Sequence, residues 1–208
     1  MNFKKGNKMK IICSDLEGVF VPEIWINVAK KTGIEGLKLT TRDISDYDKL
    51  MSHRLEILDK EGLSLKDIEE VISSIDPLPG AKETIDWIRE QTQLIILSDT
   101  FEEFAKPLMK KLGWPVLLCH SLEIDENKKI KNYHLRLNDA KTKAVNAFKK
   151  LNYEVFSFGD SYNDTGMIKA SDASCFFCPP AKVTDDFPEI PVALNYNDLK
   201  KYISDFLK

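Results

Sequence analysis

Residues 10–19 read Lys-Ile-Ile-Cys-Ser-Asp-Leu-Glu-Gly-Val, a short apolar run that ends in an acidic turn. The apolar residues predict a strand from Lys10 to Ser14. Asp15 and Glu17 follow this strand two positions apart, so in extended backbone their side chains point the same way. The first strand is therefore expected to end in a pair of carboxylates that can act on one ligand.

The segment after this strand predicts three helices and no strand. Apolar residues near helical spacing favour helices at 23–31, 47–60 and 65–75. The sequence Pro-Leu-Pro-Gly at 77–80 then predicts a turn. We therefore expect a small all-helical cap, residues 22–76, inserted after the first strand of a core domain that comprises residues 1–21 and 77–208.

Helices and strands alternate after the Pro- and Gly-rich turn, which is typical of βαβ units and a parallel sheet. A polar hairpin is expected around residues 125–128, and a helix begins near Asn163. The other predicted helices cover 81–90, 102–112, 139–151 and 199–206, and the strands cover 94–97, 116–119, 155–158, 173–177 and 192–194. The predicted fold class is α/β, a Rossmann-like parallel sheet.

The composition is that of an ordinary globular chain. Of its 208 residues 43% are hydrophobic and 30% charged, and the net charge of -3 gives no support for binding to nucleic acid. The basic, polar segment 1–10 predicts a short disordered arm rather than a secretory signal, and no apolar run is long enough to span a membrane, so we expect a cytoplasmic protein. The four cysteines are then expected to be reduced, with Cys175 and Cys178 as strand residues rather than a zinc site.

Reactive side chains follow several predicted strands. In a doubly wound sheet, ligands bind beyond the carboxyl ends of the strands. Several carboxylates that converge there would repel each other unless a cation lay among them, and oxygen ligands without His or Cys favour Mg²⁺. The residues in question are Asp15, Glu17, Ser98, Asp99, Asp160 and Asp164, with Lys141 at the start of the intervening helix.

These groups suit phosphoryl transfer. Asp15 is expected to attack phosphorus and form an aspartyl phosphate, while Glu17 protonates the leaving alkoxide and later deprotonates the acceptor. Lys141, the Ser98 hydroxyl, backbone amides near Glu17 and the metal would stabilise the charge on the transferring group. The predicted activity is therefore phosphoryl transfer through a covalent intermediate.

The set of motifs resembles the haloacid dehalogenase superfamily of phosphotransferases. Its four motifs are met by the sequences at 15–19 and 159–164 and by Ser98 and Lys141. Within it the chain is similar to the phosphoserine phosphatase group, and above all to the branch of dual phosphoserine phosphatases and phosphoserine:homoserine phosphotransferases. That closer likeness rests on Val-Pro-Glu-Ile-Trp-Ile at 21–26, Thr-Thr-Arg-Asp at 40–43 and Leu-Ser-Asp-Thr-Phe at 97–101.

The resemblance implies a Mg²⁺ site and a homodimer. The carboxylates of Asp15 and Asp160 and the backbone carbonyl of Glu17 would bind the metal, and Asp164 would support them from outside the ligand set. The implied donor is O-phosphoserine, and the implied acceptor is water, homoserine or both.

The resemblance also implies substrate contacts. Glu23 would hold the substrate ammonium group, and Arg54, on the cap, would grip the substrate carboxylate, for which a guanidinium is well shaped. Ser98, Asp99 and Asn163 would contact the phosphate or the rest of the substrate. Taken alone, Glu23 is typical of a helix amino terminus and Arg54 of a solvated helix face, and the three histidines receive no predicted role.

Two departures from the superfamily pattern affect the pocket. Position 17 holds Glu where most superfamily phosphatases have Asp, and Ser98 is followed by Asp99 and Thr100 where plain phosphoserine phosphatases have glycines. The second departure is shared with the phosphotransferase branch. The first departure is expected to alter the reach of the acid/base, and the second to alter the floor of the pocket.

Four alternatives remain open on the sequence alone. A related phosphatase could act on another small phosphomonoester, and a dehalogenase would share the Asp nucleophile but need no Mg²⁺. A phospho-accepting receiver-like signalling domain also clusters acids with Ser/Thr and Lys, but it lacks a helical insert after its first strand. A nucleotide-binding protein of Rossmann type is disfavoured because no G-x-G-x-x-G follows that strand.

Overall fold

The computed structural model describes residues 8–40, 43–44 and 46–208. In these residues one sheet of seven strands has the order β4-β3-β2-β1-β5-β6-β7, and every neighbouring pair is parallel except the β3–β4 hairpin. The strands are β1 Met9–Ser14, β2 Gln93–Phe101, β3 Val116–Ile124, β4 Ile130–His134, β5 Tyr153–Gly159, β6 Ala173–Phe177 and β7 Val192–Ala193. The predicted α/β class with a parallel sheet is confirmed.

Helices cover both faces of this sheet. The α-helices are α1 Ile24–Thr32, α2 Tyr47–Lys60, α3 Leu65–Ser73, α4 Ala81–Gln91, α5 Glu102–Lys111, α6 Ala140–Lys150, α7 Thr165–Ala170, α8 Ala181–Asp186 and α9 Tyr196–Leu207. Short 3₁₀ helices lie at Glu35–Lys38 and Tyr162–Asp164. Helices α1 to α3, here called the helical insertion, follow β1, as the sequence predicts. The division into a core and a cap domain at residues 22–76 stays a prediction.

Side chains of β1 alternate between two apolar clusters, as the period of a strand requires. Ile12 faces the larger cluster, which includes Phe20, Phe101 and Phe156, whereas Ile11 and Cys13 face a smaller cluster packed against α6 and α7. Burial on both faces explains why this strand is apolar throughout. It also fixes Asp15 at a rigid point in the middle of the sheet.

Strand β2 is longer than predicted, so two predicted site residues lie within the strand rather than after it. The expected strand 94–97 places Ser98 and Asp99 after its end, but β2 runs on to Phe101. The pairing with β3 shifts register between Leu97 and Phe101, where Phe101 pairs with His120. This irregularity keeps Ser98 and Asp99 extended at the sheet edge, so the prediction that they follow the strand is wrong.

The helical insertion also contacts the β3–β4 hairpin. The Leu65 backbone N–H donates to the Lys128 carbonyl over 2.8 Å, and the Tyr133 hydroxyl contacts the carboxylate of Asp48. An exposed ion pair joins Lys129 to Asp59 at 3.2 Å. The insertion is therefore held at one side by the hairpin as well as by the sheet.

Other sequence predictions have mixed outcomes. Helix α8 and the 3₁₀ turn at Glu35–Lys38 were not predicted. In the described chain no helix is both long enough and apolar enough to cross a membrane. Cys175 is buried in β6 and Cys178 is exposed just after it, both as free thiols. Residues 1–7 of the predicted arm, and Thr41 and Arg42 of the 40–43 likeness, lie outside the described residues.

Candidate active site

A cavity of about 650 Å³ lies at the carboxyl ends of β1, β2 and β5, beneath the helical insertion. Its volume is in the range typical of small-molecule sites. Nine of the ten predicted site residues line it, and Asp164 is buried behind them. The nine are Asp15, Glu17, Glu23, Arg54, Ser98, Asp99, Lys141, Asp160 and Asn163.

Asp15 and Lys141 form a buried ion pair at the floor of the cavity. The Lys141 Nζ lies 2.8 Å from Asp15 Oδ1 and 2.8 Å from Asp164 Oδ1, and only 3% of Lys141 is exposed. Burial opposes the charge of this lysine, but the surrounding carboxylates raise its pKa well above the usual value. Lys141 is therefore a fixed cation next to the Asp15 carboxylate.

Asp164 organises the loop after β5. Its Oδ2 accepts hydrogen bonds from the backbone N–H groups of Asp160 at 3.0 Å and Ser161 at 3.1 Å, while its Oδ1 accepts from Lys141. Both carboxylate oxygens are thus engaged by the protein. Asp164 is in position to hold Asp160 and Lys141 in place rather than to bind a ligand directly.

The carboxylates of Asp15, Asp160 and Asp164 are crowded, with ligand oxygens within 4.8 Å of one another. Burial above all, together with Asp164 and Asp160, raises the pKa of Asp15 well above its usual range, although Lys141 opposes this. Burial, followed by the charges of Asp164 and Glu23, raises the pKa of Asp160 to about 6. A cation placed among these oxygens would relieve the repulsion, and an oxygen-only donor set suits Mg²⁺.

Gly18 has a backbone and a space that only glycine accepts. Its φ is 72°, and a Cβ at this position would lie 2.4 Å from Asp160 Oδ2. We expect Gly18→Ala to displace the Asp160 carboxylate and to lower kcat of a reaction catalysed at this site by about 10- to 100-fold, as other small displacements of reacting groups do. Steady-state kinetics with thermal unfolding would measure this effect.

Gly33→Ala is the matched control for this prediction. Gly33 has nearly the same φ, 73°, but nothing within 4 Å of the added Cβ. It shares the backbone strain, about 1–2 kcal/mol, without the clash. Equal activity loss in both variants would contradict the assigned role of the Gly18–Asp160 approach.

Glu17 is oriented by the first helix of the insertion. Its Oε2 accepts a hydrogen bond from the Ile24 backbone N–H at 2.8 Å, at the amino terminus of α1. Burial first, and then the charge of Glu23, raises the pKa of Glu17 to about 7. A carboxyl group with such a pKa can both donate and accept a proton near neutral pH.

Arg54 is buried, so the alternative reading of a solvated arginine is wrong. It is 6% exposed, its guanidinium lies 4.6 Å from the Trp25 ring centre, and its Nη2 donates to the Leu39 carbonyl over 2.9 Å. Its Nε has no hydrogen-bond partner among the described residues. Burial lowers its pKa to about 10, which leaves it cationic at neutral pH.

A family model of haloacid dehalogenase-like hydrolases matches residues 9–172. The chain belongs to the haloacid dehalogenase-like hydrolases. It is 55% identical to the phosphoserine phosphatase ThrH of Pseudomonas aeruginosa over 200 residues, which covers 96% of each chain. It is 54% identical to a phosphoserine phosphatase of Pseudomonas syringae pv. tomato, over 93% of this chain and 81% of that one.

Solved structures show the same fold at low sequence identity. A phospho-aspartyl intermediate analogue of phosphoserine phosphatase aligns with a TM-score of 0.74 and 20% identity, over 94% of this chain and 99% of that one. A substrate-bound phosphoserine phosphatase aligns with a TM-score of 0.74 and 20% identity, over 95% and 99%. Family membership, with helices between β1 and β2, favours a hydrolase over a receiver-like signalling domain.

Asp99 of this hydrolase lies outside the three-carboxylate cluster and is held by side chains from two other segments. Its Oδ2 accepts from Asn163 Nδ2 at 3.0 Å, and its carbonyl accepts from the Tyr47 hydroxyl of α2 at 3.3 Å. Burial works against its charge, but Lys141, His120 and Asn163 hold the pKa of Asp99 well below its usual range. Asp99 therefore remains an anion on the β2 side of the cavity.

Sequence reasoning missed two parts of the hydrolase site. His120 received no predicted role, yet its Nε2 lies 3.6 Å from Asp99 Oδ1. Leu135 and residues 137–140 also line the cavity, and Leu135 and Leu137 are partly exposed there. Nothing in the spacing points to His120, because only the β2–β3 register brings it beside Asp99.

Proposed function

We propose that this hydrolase transfers the phosphoryl group of O-phosphoserine through an aspartyl phosphate on Asp15, to water and to homoserine. The observation that carries the proposal is the buried Asp15 carboxylate paired with Lys141 at 2.8 Å inside a cavity lined by a buried arginine. The names of the two Pseudomonas relatives support phosphoserine as the donor. The likeness of residues 97–101 to the phosphotransferase branch supports an amino-acid acceptor.

In the first half-reaction, an Asp15 carboxylate oxygen bonds to phosphorus as the bond to the serine oxygen breaks. Glu17, whose pKa is about 7, gives its proton to the leaving alkoxide. Lys141 and the buried Ser98 hydroxyl both line the cavity and would stabilise the charge of the transferring group. Serine leaves, and Asp15 carries the phosphoryl group.

In the second half-reaction, Glu17 takes a proton from water or from the acceptor hydroxyl. The acceptor oxygen bonds to phosphorus, and the electron pair of the broken bond returns to the Asp15 carboxylate. The hydrogen bond from the Ile24 N–H keeps Glu17 oriented for both steps. The helical insertion thus positions the acid/base as well as covering the cavity.

Mg²⁺ fits the residues at this site. Asp15 and Asp160 each offer a carboxylate oxygen, the Glu17 backbone carbonyl is the third proposed ligand, and both oxygens of Asp164 are already bound by the protein. When bound, the ion supplies positive charge that the crowded carboxylates and the phosphoryl oxygens need. Assembly as a homodimer and location in the cytoplasm stay predictions of the resemblance.

Product analysis tests the proposal directly. We expect the protein to release phosphate from O-phosphoserine with Mg²⁺, to lose this activity in EDTA, and to form O-phosphohomoserine when homoserine is added. Phosphorus NMR separates the three species. Activity on other small phosphomonoesters but not on O-phosphoserine would contradict O-phosphoserine as the donor. No activity on any phosphomonoester would contradict the proposed phosphoryl-transfer activity.

Arg54→Lys tests substrate recognition. Lysine keeps the charge but loses the planar fork, so we expect KM for O-phosphoserine to rise about 10-fold or more. Phosphoethanolamine, which lacks the carboxylate, is the matched control substrate, and its KM should change far less. Equal increases for both substrates would contradict contact between Arg54 and the substrate carboxylate.

A further inference from the structure

The cavity carries an excess of negative charge. Among the described residues that line it, six are acidic and two are permanently cationic. Asp15 and Asp160 are proposed metal ligands, Glu17 is bound to the start of α1, and Glu23 is proposed to hold the donor ammonium. Asp139 is an exposed residue at the start of α6. For Asp99 the resemblance implies only a contact with the phosphate or the rest of the substrate, and no particular group of a ligand is assigned to it.

Asp99 is held in place, but no cation of the described residues lies within hydrogen-bond distance of its carboxylate. Lys141 lies 3.9 Å from Asp99 Oδ2, beyond hydrogen-bond distance, because its Nζ is committed to Asp15 and Asp164 at 2.8 Å. Asn163 is neutral. The Asp99 side chain is still 38% exposed to the cavity, so it retains acceptor capacity for a cation that enters.

His120 contributes a dipole to Asp99 rather than a positive charge. Its Nδ1 accepts a hydrogen bond from the Arg136 backbone N–H at 3.1 Å, so Nδ1 carries no proton. The ring proton is then on Nε2, which faces Asp99 Oδ1 at 3.6 Å. The side chain of His120 is 4% exposed, so its ring is fixed by packing in this orientation.

We propose that Asp99, positioned by His120, binds the ammonium group of the acceptor amino acid and thereby selects amino-acid acceptors over water. This inference rests on the proposed function and extends it to the acceptor. A fixed carboxylate that faces the transferring phosphoryl group repels it unless a cation lies between them. An ammonium group of the acceptor supplies that cation at the moment of transfer.

The structure of the acceptor explains why a carboxylate other than Glu23 would bind its ammonium group. The acceptor hydroxyl must take the place that the serine oxygen leaves, beside Glu17 and phosphorus. Homoserine has one more methylene than serine, so in an extended conformation its ammonium group lies further from the hydroxyl oxygen than that of the donor. Glu23 lies near Asp160, whereas Asp99 extends from β2 and its carboxylate lies between His120 of β3 and Asn163 of the loop after β5.

In the transfer step, the homoserine oxygen bonds to phosphorus and the bond between phosphorus and the Asp15 oxygen breaks. The electron pair of that bond returns to Asp15, and the hydroxyl proton goes to Glu17. Asp99 forms and breaks no covalent bond. His120 acts only through Asp99, so it is a positioning residue.

The experiment measures the ratio of O-phosphohomoserine to phosphate formed from O-phosphoserine with Mg²⁺ and homoserine. We expect Asp99→Asn to lower this ratio about 10-fold or more, as loss of a charge-assisted contact does. His120→Leu should lower it by several-fold, whereas His120→Gln, which keeps an N–H donor, should restore most of it. Circular dichroism shows whether each variant is folded, and because the ratio compares two products of the same variant, a change in its overall turnover does not alter the ratio.

Two comparisons separate ammonium binding from a general defect. The first comparison uses 4-hydroxybutanoate, which is homoserine without the ammonium group. The ratio of phosphorylated 4-hydroxybutanoate to phosphate should be low in the wild type and unchanged in Asp99→Asn. Glu23→Gln should lower kcat/KM for O-phosphoserine but should leave the product ratio with homoserine within about 2-fold, a change below 0.5 kcal/mol. A ratio that depends on Glu23 and not on Asp99 overturns the inference.

Other outcomes also count against it. If Asp99→Asn lowers transfer to both acceptors equally, Asp99 supports the site without binding the ammonium group. If the wild type releases phosphate but forms no O-phosphohomoserine, there is no acceptor subsite, although the phosphatase assignment stands. If the wild type releases nothing from O-phosphoserine, the proposed function fails, and the inference fails with it.

Discussion

Replacing Asp15 with Asn is expected to abolish phosphate release from O-phosphoserine, with kcat lowered by about 10³-fold or more. An amide oxygen is a poor nucleophile, and the buried Asp164 cannot replace the lost carboxylate because both of its oxygens are bound by the protein. The fold should survive, since Lys141 keeps its 2.8 Å contact with Asp164. Kinetics and circular dichroism of the purified variant check both expectations.

Asp185→Asn is the matched control, because Asp185 is an exposed carboxylate in α8, away from the cavity. It should show wild-type kinetics. If Asp15→Asn were to retain more than a few per cent of the activity while Asp185→Asn behaved as the wild type, Asp15 would not be the nucleophile.

Lys141→Met is expected to damage both stability and turnover. Removing one partner of a buried ion pair leaves the carboxylates of Asp15 and Asp164 unpaired in a water-poor site, which costs about 3–5 kcal/mol in the free energy of unfolding. The transferring phosphoryl group also loses a fixed cation, so kcat should fall about 10²-fold or more. Denaturant unfolding in EDTA and steady-state kinetics in Mg²⁺ measure the two effects.

Lys143→Met is the control for Lys141→Met. Lys143 lies two residues further along α6 and is exposed, so its loss should change the free energy of unfolding by less than about 0.5 kcal/mol. Mg²⁺ should recover part of the stability of Lys141→Met, because a cation among the carboxylates relieves their repulsion. If both variants were equally stable in EDTA, the buried pair would not carry the stability assigned to it.

Much of the site was accessible from sequence because its chemistry lies on local motifs. Asp15 follows an apolar strand directly, and Asp160 and Asp164 lie on one short loop after another strand. A central strand buried on both faces leaves little choice of register, so its end fixes where the carboxylate lies. The parallel sheet was predictable too, because alternating helices and strands are typical of βαβ units.

The rest depended on contacts between segments far apart in the chain. His120 lies on β3 and meets Asp99 on β2 only because the strands pair with a register shift near their ends. The burial of Arg54 follows from packing of α2 on Trp25, which no spacing within α2 reveals. Periodicity describes one element at a time, whereas these contacts are set by how elements dock.

Trapping the covalent intermediate tests the central claim most directly. The enzyme would be mixed with O-phosphoserine and Mg²⁺, quenched in acid, reduced with borohydride, and digested for peptide mass spectrometry. We predict that the modified residue is Asp15, converted to the reduced alcohol in the wild type and not in Asp15→Asn. Steady turnover with an unmodified Asp15, or with the label on another residue, would contradict the account.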